Sequence, residues 1–193
     1  MTELFVTGTD TGVGKTTIAS ALLAAARARG LRTQAMKPVE TGCAALPGRP
    51  TSLVPADAVA LARASRGQAP DTSAAPPSST IYRFAAPLAP SIAAEREGRA
   101  IALAPILRAA DRLRSLAPDF FLVEGAGGLL VPLTDSLDMA DLAASLAMPL
   151  LVVARDSLGT INHTLLTLEA AATRRLPVAA VVLSAANPGT SER

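Results

Sequence analysis

Leu4-Phe5-Val6-Thr7-Gly8-Thr9-Asp10-Thr11-Gly12-Val13-Gly14-Lys15-Thr16-Thr17 reads as a short apolar strand, a tight turn and the start of a helix that continues through Ile18-Ala19-Ser20-Ala21-Leu22-Leu23. That is the context a phosphate-binding loop requires. Consecutive backbone N–H groups around Gly12 to Thr16 can wrap phosphates, with the positive end of the helix dipole behind them. Lys15 would reach the outer phosphates and the Thr16 hydroxyl would ligate magnesium, so Gly12, Val13, Gly14, Lys15, Thr16 and Thr17 are the candidate nucleotide-binding residues. The spacing departs from Gly-x-x-x-x-Gly-Lys-Thr, which needs its first glycine at position 9; Thr9 stands there, with Gly8 one step earlier. Such turns also arise for steric reasons alone, and it is the Lys-Thr pair at the helix start that favours a nucleotide.

The chain has 193 residues and only two lysines, Lys15 and Lys37, all its other long basic side chains being arginine. Lysine at these two points suggests a need for a compact ammonium on a flexible stem, which a planar guanidinium does not reproduce. The length suits one domain spanning 1–193, and with half the residues hydrophobic a substantial core is available. The net charge of +2 is small and the basic residues are scattered, so nucleic-acid binding gains no support. No window reaches the roughly 18 to 20 apolar residues of a membrane span, and the N-terminus enters a strand without a leader; the expectation is a cytoplasmic protein without a membrane partner. Cys43 is the only cysteine, which rules out an intrachain disulfide; its place in a candidate site loop leaves it open to modification.

Apolar runs of strand length alternate with alanine- and leucine-rich segments at helical period. This predicts an α/β fold of the P-loop NTPase kind, a mostly parallel sheet with helices on both faces. Strands are expected at 4–7, 33–37, 81–84, 120–124, 150–154 and 178–184, and helices near 16–29, 56–65, 103–115, 138–146 and 161–174. Gly30 marks the stop of the first helix, and Pro118, Pro149 and Pro177 each precede a strand. The stretch 38–80, rich in proline, alanine and serine, is the least regular and includes a candidate mobile substrate loop. The polar tail 187–193 reads as a frayed end.

Two further motifs stand at strand ends. Val123-Glu124-Gly125-Ala126-Gly127-Gly128 closes the fourth strand, and ligand crevices of open parallel sheets lie at the carboxyl ends of strands, so Glu124 should face the phosphate loop. Magnesium shared with Thr16 would satisfy a carboxylate buried there; the plainer alternative is a solvated glutamate opening a glycine turn. Lys37-Pro38-Val39-Glu40-Thr41-Gly42 leaves another strand end, where Lys37 would hold an anionic substrate group; taken alone, Lys37 reads as a surface lysine.

Over almost the whole chain these segments resemble dethiobiotin synthetase. The resemblance rests on Val6-Thr7-Gly8-Thr9-Asp10-Thr11 leading to Val13-Gly14-Lys15-Thr16, on Lys37-Pro38-Val39, on the Glu124 glycine motif, and on Leu158-Gly159-Thr160-Ile161-Asn162-His163. It implies ATP-dependent carboxylation and ring closure of 7,8-diaminononanoate with CO2, through a carbamate activated by the γ-phosphate. It implies magnesium held by Thr16, Asp57 and Glu124, with ATP as co-substrate. Lys15, Lys37 and Thr11 match active-site positions, and Thr41, Gly127 and Gly128 positions near the substrate. Asp57 has an ordinary reading too, as an acidic residue in the first turn of a helix. Gly159, Thr160, Ile161 and Asn162 should open a helix whose free N–H groups bind a carboxylate, reached in the family from a neighbouring subunit, so a homodimer with sites at the interface is implied. His163, the lone histidine, reads as a packed or hydrogen-bonded residue.

Where the family places an adenine-reading asparagine, direct alignment offers Ser184, with Asn187 three residues later. A further strand and helix usual in the family are missing after it, so the domain reads as shortened at its C-terminus. The competing reading is a dimerising switch ATPase of the partitioning and division-site class, which shares Gly-Val-Gly-Lys-Thr-Thr. Those proteins carry a second lysine early in the loop, where this chain has Asp10. A cobyrinate-type amidotransferase needs a glutaminase domain for which the chain has no room. A catalytically silent nucleotide-binding domain is the remaining alternative.

Overall fold

The computed structural model describes residues 1–67 and 79–185. In chain order the elements are β1 Thr2–Gly8, α1 Lys15–Ala28, β2 Thr33–Met36, β3 Val39–Glu40, β4 Ala44–Leu46, β5 Arg49–Val54, α2 Ala56–Arg66, β6 Tyr82–Arg83, α3 Pro90–Arg96, α4 Leu103–Arg114, β7 Phe120–Gly128, α5 Met139–Leu146, β8 Leu150–Arg155, α6 Thr160–Thr173 and β9 Val178–Ser184. Five strands form a parallel sheet in the order β2-β7-β1-β8-β9. β1 lies in the middle, and the chain passes to either side of it, which opens a crevice at the carboxyl ends of the central strands.

The strands read as near-continuous apolar runs because both faces are covered. Side chains alternate between two cores: Phe5, Phe121, Val123, Leu150 and Val152 face one, Val6, Phe120, Leu122, Leu151 and Val153 the other. Ala19 and Leu23 of α1 and Leu61 of α2 fill the second core, while α3, α4 and α5 cover the first. Gly30, at φ 81°, ends α1 as expected: its N–H donates to the Arg27 carbonyl and that of Leu31 to the Ala26 carbonyl.

The region after β2 departs from expectation. The strand expected at 81–84 is not part of the main sheet; Tyr82–Arg83 pairs in parallel with Val39–Glu40 as a separate two-stranded ladder. Pro38 supplies no N–H, so pairing splits away from the sheet there, and its carbonyl instead accepts from the N–H groups of Ile81 and Tyr82. The stretch expected to be irregular holds an unexpected antiparallel β4–β5 hairpin ahead of α2, which lies where a helix was expected. The rest of the expected substrate loop, 68–78, lies outside the described residues. The seven-residue α3, opened by Pro90, is too short for its period to show in the sequence. β7 continues past Glu124 to Gly128, because residues 125–128 carry no side chain larger than a methyl and keep pairing with β1 after a register shift between Val6 and Gly8. Among the described residues no helix is long and apolar enough to cross a membrane.

Candidate active site

β2 and β7 pair with Met36 opposite Val123, so one further step sets Lys37 beside Glu124 at the sheet's carboxyl end. The phosphate loop joins β1 to α1 across that end. A cavity of about 300 Å³ opens there, and its walls include Thr11, Gly12, Gly14, Lys15, Thr16 and Thr17 from the loop and α1, Lys37, Glu40 and Thr41 from the segment after β2, Asp57 from α2, and Glu124, Ala126 and Gly127 from β7. Residues spread over more than half of the chain thus share one wall.

The centre of the site is an ion pair without solvent. Glu124 is 0% and Lys37 3% exposed, so neither the solvated-glutamate nor the surface-lysine alternative holds. Lys37 Nζ lies 2.6 Å from Glu124 Oε1, 2.9 Å from Asp57 Oδ2 and 3.2 Å from the Gly125 carbonyl. Burial works against this ammonium, but the charges of Glu124 and Asp57 outweigh it and lift its pKa above the ordinary lysine value. Burial also pushes the Asp57 carboxyl up, yet the charge and hydrogen bond of Lys37 carry it below the usual carboxylate range. The Lys37 ammonium thus places one positive charge directly beside Glu124.

Lys15 is in the opposite position. Its Nζ donates to the Asp10 carbonyl at 2.8 Å, and burial followed by the like charge of Lys37 lowers its pKa to about 8 despite the nearby carboxylates. Phosphate oxygens would relieve both penalties.

The Thr16 hydroxyl donates to Glu124 Oε1 at 2.9 Å, and Glu124 Oε2 is buried with no partner among the described residues. A buried oxygen left without a partner is costly, and these hard oxygen donors fit a cation that keeps several waters and phosphate ligands. Among the described residues no group of three His, Cys, Asp or Glu side chains is assembled.

Other predicted residues are distributed unevenly. Val13 turns its side chain into the core and can offer only backbone to the site. Ser184 ends β9 next to the loop, so close that a Cβ on Gly14 would stand 2.5 Å from its Oγ. Asn187 and the tail fall outside the described residues. Gly128 borders a neighbouring groove of about 350 Å³ together with Leu130, Val131, His163 and Leu166. Gly159, Thr160, Ile161 and Asn162 lie away from the main cavity, Thr160 lining a smaller one with Asp10 and Arg155. His163, read from the sequence as packed or hydrogen-bonded, is exposed, because α6 fully buries only Ala171. Cys43 is buried and donates to the Glu40 carbonyl; burial, then the charge of Glu40, pushes its thiol up to about 11, which makes it a poor target for modification.

Sequence reasoning missed Glu40. It is 5% exposed, yet it reads as one polar residue in a loop because the helix it touches begins 16 residues later. The signal that could have found it is the pairing of that acid with a helix start, Pro55-Ala56-Asp57, that carries no capping side chain of its own.

A profile of the family described as "AAA domain" matches residues 2–193. The chain is 52% identical over 190 residues to a protein of Anaeromyxobacter dehalogenans (strain 2CP-C) named ATP-dependent dethiobiotin synthetase BioD, covering 97% of this chain and 78% of that protein. A protein of the same name from Mycobacterium sp. (strain JLS) is 43% identical over 199 residues, covering 100% and 80%. Among solved structures, the kinase domain of Escherichia coli tyrosine kinase ETK aligns with a TM-score of 0.53 at 15% identity, over 100% of this chain and 70% of that one. The signal recognition particle receptor FtsY from Elizabethkingia anophelis aligns with a TM-score of 0.51 at 15% identity, over 96% of this chain and half of the receptor. At that identity the structural likeness speaks for the fold alone.

Proposed function

The chain belongs to the ATP-dependent dethiobiotin synthetase family, and from that premise we propose that its cavity binds 7,8-diaminononanoate, CO2 and ATP and forms dethiobiotin with release of ADP and phosphate. The observation that supports this assignment to the cavity is the convergence of Lys15, Thr16, Lys37, Asp57 and Glu124 on one wall.

In this reading the amides of Gly12 to Thr17 and the ammonium of Lys15 hold the phosphates, and Ser184 stands near the nucleotide. One amine of the substrate adds CO2 to give a carbamate, the γ-phosphate passes to a carbamate oxygen, and the second amine attacks that carbon and expels phosphate to close the ring. Lys37 and Lys15 neutralise the charge that develops, while Thr11, Thr41 and the Gly127-Gly128 backbone orient the transferred group. No nucleophilic side chain is required. Thr16, Asp57 and Glu124 would hold magnesium, which when bound neutralises phosphate charge.

The same proposal places residues 1–193 in one functional unit, in the cytoplasm. It places Gly159 to Asn162 at the distal carboxylate of a substrate bound by a second copy. Ile161, Leu165 and Leu166 of α6 and Leu158 just before it are all exposed, a face suited to such a pair. The test is to supply 7,8-diaminononanoate, bicarbonate, magnesium and ATP while following dethiobiotin by mass together with phosphate. Product that needs all four supports the assignment; phosphate release indifferent to the diamine, without product, sinks it in favour of a switch ATPase.

A further inference from the structure

Helix α2 carries Asp57 into the site, yet its first turn has no local cap. Pro55 occupies the N-cap position and offers no acceptor side chain. At its far end the helix is tethered to β2: Thr33 Oγ1 donates to the Ser65 carbonyl at 2.9 Å, and Ser65 Oγ returns a 2.9 Å bond to the Thr33 carbonyl. At its near end the tether is Glu40. The Asp57 N–H donates to Glu40 Oε1 at 2.9 Å and the Ala58 N–H to Glu40 Oε2 at 3.0 Å. One carboxylate thus satisfies two of the orphan donors of the first turn, from a different strand, and places a full negative charge at the positive end of the helix.

Glu40 is itself fixed. Its carbonyl accepts from Phe84 N–H at 3.0 Å just past the β3–β6 ladder, and its side chain is almost wholly buried. A buried carboxylate is expensive unless its oxygens are used, and here, at the edge of a cavity that also holds Lys37 and Asp57, both are spent on the backbone of one residue and its neighbour. Asp57 has less to hold it: its side chain is 41% exposed and its ion-pair partner is Lys37 at 2.9 Å. The direction of its carboxylate therefore depends on where the first turn of α2 sits.

We propose that Glu40 is a positioning residue for this site: by capping α2 from β3 it fixes the backbone of Asp57, and through it the carboxylate that completes the cation-holding set with Thr16 and Glu124. This rests on the reading of Asp57 as a cation ligand given above. Partners one shell out from a metal ligand commonly change metal affinity when removed.

The test measures Mn2+ binding to the ADP-loaded protein by the loss of the free-ion EPR signal, for the unchanged chain, Glu40→Ala, Asp57→Asn and the double variant, with amide hydrogen exchange followed at Asp57 and Ala58. Glu40→Ala should weaken Mn2+ binding about tenfold and speed exchange at those two amides. In the Asp57→Asn background it should weaken binding no further, since the route to the metal is already cut. Glu40→Gln keeps the volume and one acceptor, so it should fall between, and it carries the test if the alanine variant does not fold. An equal loss in both backgrounds, or unchanged affinity for Glu40→Ala and Glu40→Gln while Asp57→Asn alone weakens binding, overturns the inference and leaves the site reading intact. Full affinity in Asp57→Asn removes the site reading itself, and the inference with it.

Discussion

Helices α1 and α6 begin alike and end up in different circumstances. Each follows a parallel strand, each opens on a glycine in the left-handed region, Gly14 at φ 98° and Gly159 at φ 91°, and neither has a capping side chain or an acid in its first turn. Both therefore present free N–H groups to an anion. Around α1 the fold closes in: Lys15, Ala19 and Leu23 are buried, and Lys37, Asp57 and Glu124 stand at its N-terminus. Around α6 it does not, and Ile161, Leu165 and Leu166 face outward. A glycine-opened helix thus offers the same free backbone donors in both places, and what packs over it decides whether charged side chains gather around them.

The largest expected effect separates the two ends by chemistry. Lys15→Met should lower dethiobiotin formation by about 10² to 10³, the scale of losing one preorganised charge at a transition state, when initial rates are followed by mass. Thr160→Ala at the matching position of α6 should change the same rate less than about fivefold, since the backbone N–H groups remain and the Thr160 hydroxyl has no partner among the described residues. Equal losses would break the comparison.

Next comes the glycine pair. A Cβ at Gly14 would meet Ser184 Oγ at 2.5 Å, whereas one at Gly159 would meet nothing nearer than His163 Cε1 at 3.9 Å. Urea unfolding should therefore show Gly159→Ala costing only the left-handed strain, about 1 to 2 kcal/mol, and Gly14→Ala costing about 3 kcal/mol or more, with ADP binding lost as well.

Leu165→Glu sharpens the other half of the contrast. If the α6 face pairs two copies, sedimentation should show a shift from dimer to monomer while ADP affinity stays within about twofold of the unchanged chain, because α1 is untouched. A monomer before the change would remove the two-copy reading.

The smallest effect is a pH trend in the ligand-free protein. Lys15 titrates near 8 when folded and near the ordinary 10.5 when unfolded. Between those values the unfolded chain binds more protons, so this residue makes stability rise with pH there, by at most about 1.4 kcal/mol per unit, and the contribution is lost as pH falls through 8. Denaturation midpoints of Lys15→Met should lack that increment.

Legibility in the sequence followed the range of the interactions. The loop 8–17 and the helices at 16–29, 56–65, 103–115, 138–146 and 161–174 were readable because turn glycines, caps and apolar periods act over a few residues. The pairing of the strand expected at 81–84 was not, since Ile81-Tyr82-Arg83-Phe84 reads like any short strand and only Pro38 diverts it from the main sheet. Glu40 was invisible as a helix cap for a related reason: a cap is sought next to its helix, and this one arrives from another strand. Burial of Lys37 could be inferred only by knowing which strand β2 pairs with.

By itself the sequence determined the phosphate loop, the alternation of parallel strands and helices, and the family to which the chain belongs, because these are written in contiguous residues. Tertiary structure alone decided that Lys37 meets Glu124 at 2.6 Å across 87 positions of chain, that Asp57 meets Lys37 at 2.9 Å, and that the Asp57 N–H donates to the Glu40 carboxylate of β3. Strand order and register set those contacts, and both are chosen by the packing of two cores at once and not by any local run of residues.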